Sequence, residues 1–298
     1  MPAKIGSRDV ILVDTPGFND SSRSDGEILS EISNTLVAQY KLGCELKGVI
    51  YVHRISDLRF DNSAFKTLQI VQRICGDMAL KNVILLTNRW DKVQESEGIE
   101  RERKLREQKW RYMLDKGSKI ERFYGGKESA QALIAQLLKG SNVVLELQRE
   151  IIEDGKRLDK TSAGTFVVDA LQVKQKELQS DLESLADMLD AEEGQQKLRY
   201  EQDYKLCLEK LNAIAEQQSV LKVDIGQKVD AKLDEIKLQK KKKSKWQKGG
   251  KVALNILPTA IALIGMLAGI PTGFGGIEEL VTGADESTDN NMSQLLDG

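Results

Sequence analysis

The sequence predicts an α/β fold, a mostly parallel sheet with flanking helices, followed by a long helical coiled-coil arm. Three observations carry that expectation. Short apolar runs alternate with amphipathic helical patterns over residues 1–142. The four prolines fall at positions 2, 16, 258 and 271, so the middle of the chain has no proline to break a helix. Leu171, Leu178, Leu182, Leu185 and Leu189 keep steps of seven, four, three and four, the spacing of a heptad seam.

The elements follow in order. Val10 to Val13 is a four-residue apolar run ending at a turn, the pattern of a buried parallel strand. Ser24 with Glu27 three positions on predicts a capping box, and Ile28, Leu29, Ile32, Leu36 and Tyr40 then share one helical face before Gly43. Val49-Ile50-Tyr51-Val52 reads as a second strand, residues 63–75 as a helix with Phe65, Leu68, Ile70, Val71 and Ile74, and Val83-Ile84-Leu85-Leu86 as a third strand. A charged helix over 99–114, a weak strand over 120–124 and a helix over 130–138 complete the first half. In such a sheet, ligands bind beyond the carboxyl ends of the strands.

Composition removes several classes of function. At 298 residues with 40% hydrophobic content, the chain is long enough for one sizeable core and an extension. A net charge of −2 argues against general nucleic-acid binding, so no specific nucleic acid is expected as a partner. Cys44, Cys75 and Cys207 are odd in number and widely spaced, which fits a reducing cytoplasm rather than a disulfide framework. With His53 the only histidine, neither a zinc-type ligand cluster nor a Ser-His-Asp triad can be assembled.

Two strand ends carry chemistry. Asp14, followed by Thr15, Pro16 and Gly17, ends the first apolar run. A carboxylate there can hold Mg2+ through its water shell, and a glycine three residues on can present its backbone N–H to a terminal phosphate. D-x-x-G alone fits equally a strand followed by an Asp-initiated turn. The second site is Thr87-Asn88-Arg89-Trp90-Asp91, which follows the pattern Asn-Lys-x-Asp with arginine in the lysine place. A carboxylate at Asp91 can accept from the N1–H and exocyclic amine of guanine, a donor pair that adenine lacks. Asn88 would hold the loop and touch the base edge, and Trp90 is expected to pack against the sheet.

Taken together, VDTPGFNDSSRSDGEIL, GVIYVHRISD, ALKNVILLTNRWDKV and the region WRYMLDKGS…RFYGGKESA resemble the fungal P-loop GTPase-like proteins with a C-terminal coiled coil, relatives of the septin and immunity-associated GTPases. The resemblance covers residues 9 to about 160 and, more loosely, the helical extension. It implies a Ras-like G domain that binds GTP or GDP with Mg2+. In it, Asp14 to Gly17 are the switch II motif, with Asp14 the metal-side residue, and Asn88 to Asp91 read the base. Tyr124, Gly125 and the residues up to Lys127 then close over the guanine. His53-Arg54-Ile55-Ser56-Asp57 matches a family signature, expected to be a strand-to-loop corner bracing switch II.

The family pattern also has a first strand, a G-x-x-x-x-G-K-[ST] loop, a helix, switch I and a second strand ahead of the D-x-x-G strand. Thirteen residues precede Asp14, and no such glycine-rich loop occurs in the sequence, since Gly249-Gly250-Lys251 lacks the spacing. The expectation is therefore a truncated G domain, arising either from a shortened gene model or from a dedicated pseudo-GTPase. The missing first strand is expected between the D-x-x-G strand and the strand of Val83 to Leu86, leaving interior edges unpaired or forced together. Nucleotide and Mg2+ binding are expected only with the missing segment present. GTPase activity is inferred by resemblance only, and no catalytic residue is assigned.

The domains expected are a partial G domain (1–142), a helical coiled-coil region (143–239), a polybasic and apolar segment (240–276) and an acidic tail (277–298), the last expected to be disordered. The leucine seam supports either a hairpin packed on its own G domain or a self-associating coiled coil giving a homo-oligomer. KKKKSKWQKGGK followed by VALNILPTAIALIGMLAGIP suggests membrane attachment of a cytoplasmic protein. Pro258 leaves residues 259–270 a helix of about 18 Å, too short to span. Two functions from different classes follow: a guanine-nucleotide switch, or a nucleotide-free scaffold or membrane tether keeping a relic G domain. An ATPase with a Walker B strand fits Asn88 to Asp91 less well.

Overall fold

The computed structural model describes residues 2–246 except 19, 21 and 192. Its centre is a three-stranded parallel sheet of β3 (Val49–Arg54), β4 (Val83–Asn88) and β5 (Lys119–Arg122), in that spatial order. β4 is paired on both sides, Val49 facing Val83 and Ile84 facing Lys119. Val83, Ile84, Leu85 and Leu86 are buried on both faces, as an uninterrupted apolar run in a parallel sheet requires.

The first strand departs from the expectation. Only Val10 and Ile11 of the run 10–13 are extended, in β2 (Arg8–Ile11), which pairs antiparallel with β1 (Pro2–Ile5) as a separate two-stranded sheet. Val13 is 42% exposed rather than buried. The physical reason is local: a two-residue connection with Gly6 at φ 61° closes a hairpin at small entropic cost, whereas a place in the parallel sheet needs long-range pairing. Residues 2–5 therefore supply β2 with a local hairpin partner, and neither strand enters the parallel sheet. The open edges also lie elsewhere. β4 has neighbours on both sides, and among the described residues β3 and β5 each have an outer edge that pairs with no strand.

Helix α1 (Asp25–Lys41) starts where its cap predicts, and α2 (Asn62–Cys75) lies where a helix over 63–75 is expected. Ser24 Oγ accepts from the Glu27 amide at 3.3 Å and the Glu27 carboxylate accepts from the Ser24 amide at 2.8 Å, the reciprocal capping box. The predicted single charged helix over 99–114 is instead three pieces: α3 (Glu95–Lys104), a wide π-type turn over Leu105–Lys109, and α4 (Arg111–Asp115). The wide turn rotates the following residues, so that Trp110 and Met113 become fully buried in the core. After β5 comes α5 (Lys127–Leu138), to whose last carbonyl the Arg8 guanidinium of the hairpin donates at 2.9 Å.

The second half forms α6 (Glu146–Ile152), α7 (Ser162–Ala191), α8 (Gln195–Leu221) and α9 (Ile225–Trp246). α7 and α8 are antiparallel: Gln218 donates to Gln175 at 3.0 Å and the Cys207 thiol to the Leu178 carbonyl at 3.2 Å. Leu171 and Leu178 are buried, and Leu182 and Leu185 pack against the same cluster, so the heptad seam is used within the chain against α8. α1 packs against α6, α7, α8 and α9, and α2 against α6 and α7. One hydrophobic cluster runs from Phe18 to Leu233 through both halves, which is the hairpin-on-body arrangement. The lysine run from 240 begins in the last turns of α9, and the apolar run 252–271 and the tail 277–298 lie outside the described residues. Among the described residues no helix is long and apolar enough to cross a membrane.

Candidate functional site at the ends of the central strands

β4 delivers Thr87 and Asn88 to the carboxyl end of the sheet, and the chain turns at once. Arg89 adopts φ 62° and ψ 33°, the only non-glycine residue with positive φ among the described residues. A left-handed conformation costs an L-residue on the order of 1 kcal/mol, a strain that collects at functional turns. The turn sends Trp90 inward and leaves Asp91 at the surface. Trp90 is 8% exposed and its indole N–H donates to Thr87 Oγ1 at 3.1 Å. Asp91 is exposed, with only the neighbouring Lys92 ammonium at 3.2 Å as its ion-pair partner.

The loop is held from three sides. Gly98 of α3 lies flat against the indole, since a Cβ there would sit 2.7 Å from Trp90 Cζ3. The Arg122 guanidinium, at the end of β5, stacks over the Trp90 ring at 4.3 Å. Glu102 of α3, 7% exposed, takes Arg122 through both oxygens, with Nε to Oε1 at 3.0 Å and Nη2 to Oε2 at 2.6 Å. The Glu102 carboxylate, and after it Tyr124, push the Arg122 pKa further above its ordinary value. Tyr124 is 69% exposed, with its ring 5.9 Å from Trp90. Gly125 and Gly126 follow at φ 99° and 87°, where other residues would be strained, and lead into α5.

Asn88 has a carboxamide oxygen that is buried without a hydrogen-bond partner. Buried polar atoms are nearly always paired, and Asn34 Oδ1 and Trp110 Nε1 are the other exceptions among the described residues. The backbone carbonyl of Asn88 accepts from the Ile55 amide at 3.0 Å. Residues 53–57, expected to brace residues 14–17, are tied by this bond to Asn88. Arg101 Nη1 donates to the carbonyls of Ile55 and Ser56 at 3.1 and 3.0 Å, so the corner braces Asn88 and α3.

Thus Thr87, Asn88, Arg89, Asp91, Tyr124 and Gly125 are brought to one place. Asp14, Thr15, Pro16 and Gly17 follow the separate hairpin. Asp14, Thr15 and Gly17 are exposed, and the chain is pinned just after them by Phe18, 8% exposed in the core. For Mg2+ the fit is poor: among the described residues no three His, Cys, Asp or Glu side chains group closely enough to hold a metal, leaving Asp14 as a single exposed carboxylate. Sequence reasoning missed Glu102 and Arg122, which lie twenty positions apart and meet only through the parallel register of β4 and β5. A cavity of about 350 Å³ lined by Lys81, Asn82, Val83 and Lys119 opens at the opposite, amino ends of β4 and β5.

No protein-family model matches the chain, and no curated protein matches it.

Proposed function

We propose that the protein is a guanine-nucleotide-binding protein of the P-loop GTPase lineage, with Asn88 to Asp91 reading the base and Tyr124 and Gly125 flanking it. One observation carries this reading most strongly: an Asn-x-x-Asp turn at the carboxyl end of the central strand leaves the Asn88 carboxamide oxygen unpartnered while Asp91 stays exposed. An exposed carboxylate accepts both guanine donors, which adenine cannot supply. In this reading Asp14 to Gly17 face the phosphates. Tight binding and hydrolysis need a phosphate-cradling glycine loop, which the 298-residue sequence does not contain. The nucleotide would act on a cytoplasmic protein that attaches to a membrane through residues 240–276.

A second reading, a nucleotide-free scaffold or membrane tether, is favoured by β2 lying outside the parallel sheet. Calorimetric titration of the whole chain with Mg-GTP and Mg-ATP separates the two. The first reading expects GTP to bind more tightly than ATP, and Asp91→Asn to shift preference toward xanthine nucleotides. Equal affinity for ATP would defeat the guanine assignment. A folded chain indifferent to millimolar Mg-GTP is the outcome that the scaffold reading expects.

A further inference from the structure

We propose that Arg122 and Glu102 are positioning residues of the base site, a charge pair with a buried carboxylate and a half-buried guanidinium whose role is to fix Trp90 and, through it, to aim Asn88 and Asp91. The inference rests on the reading of residues 88–91 as the base site and deepens it. Its starting point is an energetic oddity. Glu102 is 7% exposed on a charged helix whose other acidic side chains are in or near solvent. Taking a carboxylate out of water against a half-buried partner is commonly no better for stability than an apolar side chain of similar volume, so stability alone does not account for it.

Geometry supplies the account. The bidentate grip of Glu102 leaves the guanidinium plane one orientation, over the indole at 4.3 Å. The indole is closed in from α3 by Gly98 and tied by its N–H to Thr87. Trp90 lies between Arg89, with its left-handed backbone, and Asp91, so a ring that cannot rotate fixes the path of both neighbours. The ring of Tyr124 lies 5.9 Å from that of Trp90, so the stacked indole links the loop after β4 to the loop after β5. These two loops carry every residue of the proposed base site, and Arg122, at the end of β5, stacks on the ring that joins them. A pair acting in this way sets how well the site tells one base from another, not how tightly it holds phosphates.

The test is the ratio of affinities for GDP and ADP, measured by ligand-observed NMR on the full chain. The two ligands share a diphosphate, so the ratio reports the base alone. Three proteins are compared: wild type, Arg122→Lys, and the double variant Glu102→Met/Arg122→Met. The double variant replaces the pair with apolar side chains and is expected to unfold near the wild-type urea concentration. Its GDP preference is expected to fall on the order of tenfold, as small misplacement of recognition groups does. Arg122→Lys keeps a charge but loses the fork and the stacking surface, and an intermediate ratio is expected. A merely structural role would weaken both ligands equally and leave the ratio unchanged. An unchanged ratio in the double variant overturns the proposal, and if that variant does not fold, an unchanged ratio in Arg122→Lys does so. A wild type that prefers neither ligand removes the base reading and the positioning role together. A wild-type preference unaltered in both variants removes the positioning role alone.

Discussion

The loop after β4 and the loop after β2 began as two halves of one motif set, yet the fold treats them differently. Residues 87–91 leave the middle strand of a parallel sheet and are braced by α3, β5 and the corner at residues 53–57. Residues 14–17 leave a small antiparallel hairpin, and Asp14, Thr15 and Gly17 are open to solvent. The difference teaches that a recognition loop is as well defined as the strand that delivers it. A strand paired on both sides fixes where its last residue stands, while a local hairpin fixes only its own turn.

The contrast can be broken first at Trp90. Trp90→Ala removes a buried indole, its hydrogen bond to Thr87 and its stacking on Arg122, and is expected to cost about 3–5 kcal/mol in urea unfolding. A loss below about 1 kcal/mol would show that the loop after β4 is no better anchored than the loop after β2. The next effect concerns His53 on β3, packed on the rings of Phe60 and Trp110. Burial lowers its pKa from the ordinary value, opposed by Asp57 and Asp61 and reinforced by Arg54. A lowered folded pKa means that the unfolded chain binds the proton more readily. Its contribution to stability is therefore complete above about pH 6.5 and is lost as the pH falls through the folded value. Between pH 7.5 and 5.5 stability is expected to fall by no more than about 1.4 kcal/mol per pH unit. His53→Phe should flatten that slope, and an unchanged slope would place the titration elsewhere. The smallest effect belongs to the other loop: Asp14→Ala is expected to change stability by less than about 0.5 kcal/mol, because its side chain is solvated.

Much of the architecture was legible because it depends on local pattern. The run Val83 to Leu86 announced a strand buried on both faces, and Ser24 with Glu27 announced the start of α1. What stayed hidden depends on pairing at a distance. Val10 to Val13 has the composition of a buried parallel strand, but nothing in those residues reveals that Pro2 to Ile5 will take Val10 and Ile11 as partners. The wide turn at 105–109 has no signature in LREQK and becomes intelligible only when Trp110 is seen in the core. The leucine seam was readable as a seam, although not as one facing α8 of the same chain. At the site, Asn88 and Asp91 could be chosen by spacing. Glu102 and Arg122 could not, since their relation is created by the register of Thr87 on Arg122.

The most direct test of the central claim is to map GDP onto the backbone amides by two-dimensional NMR of the whole chain, with ADP as the control. The account predicts GDP-specific shifts at residues 88–91 and 124–126, with smaller changes at 98, 102 and 122. Shifts confined to the lysine-lined cavity at the amino ends of β4 and β5, or identical responses to GDP and ADP, would contradict it.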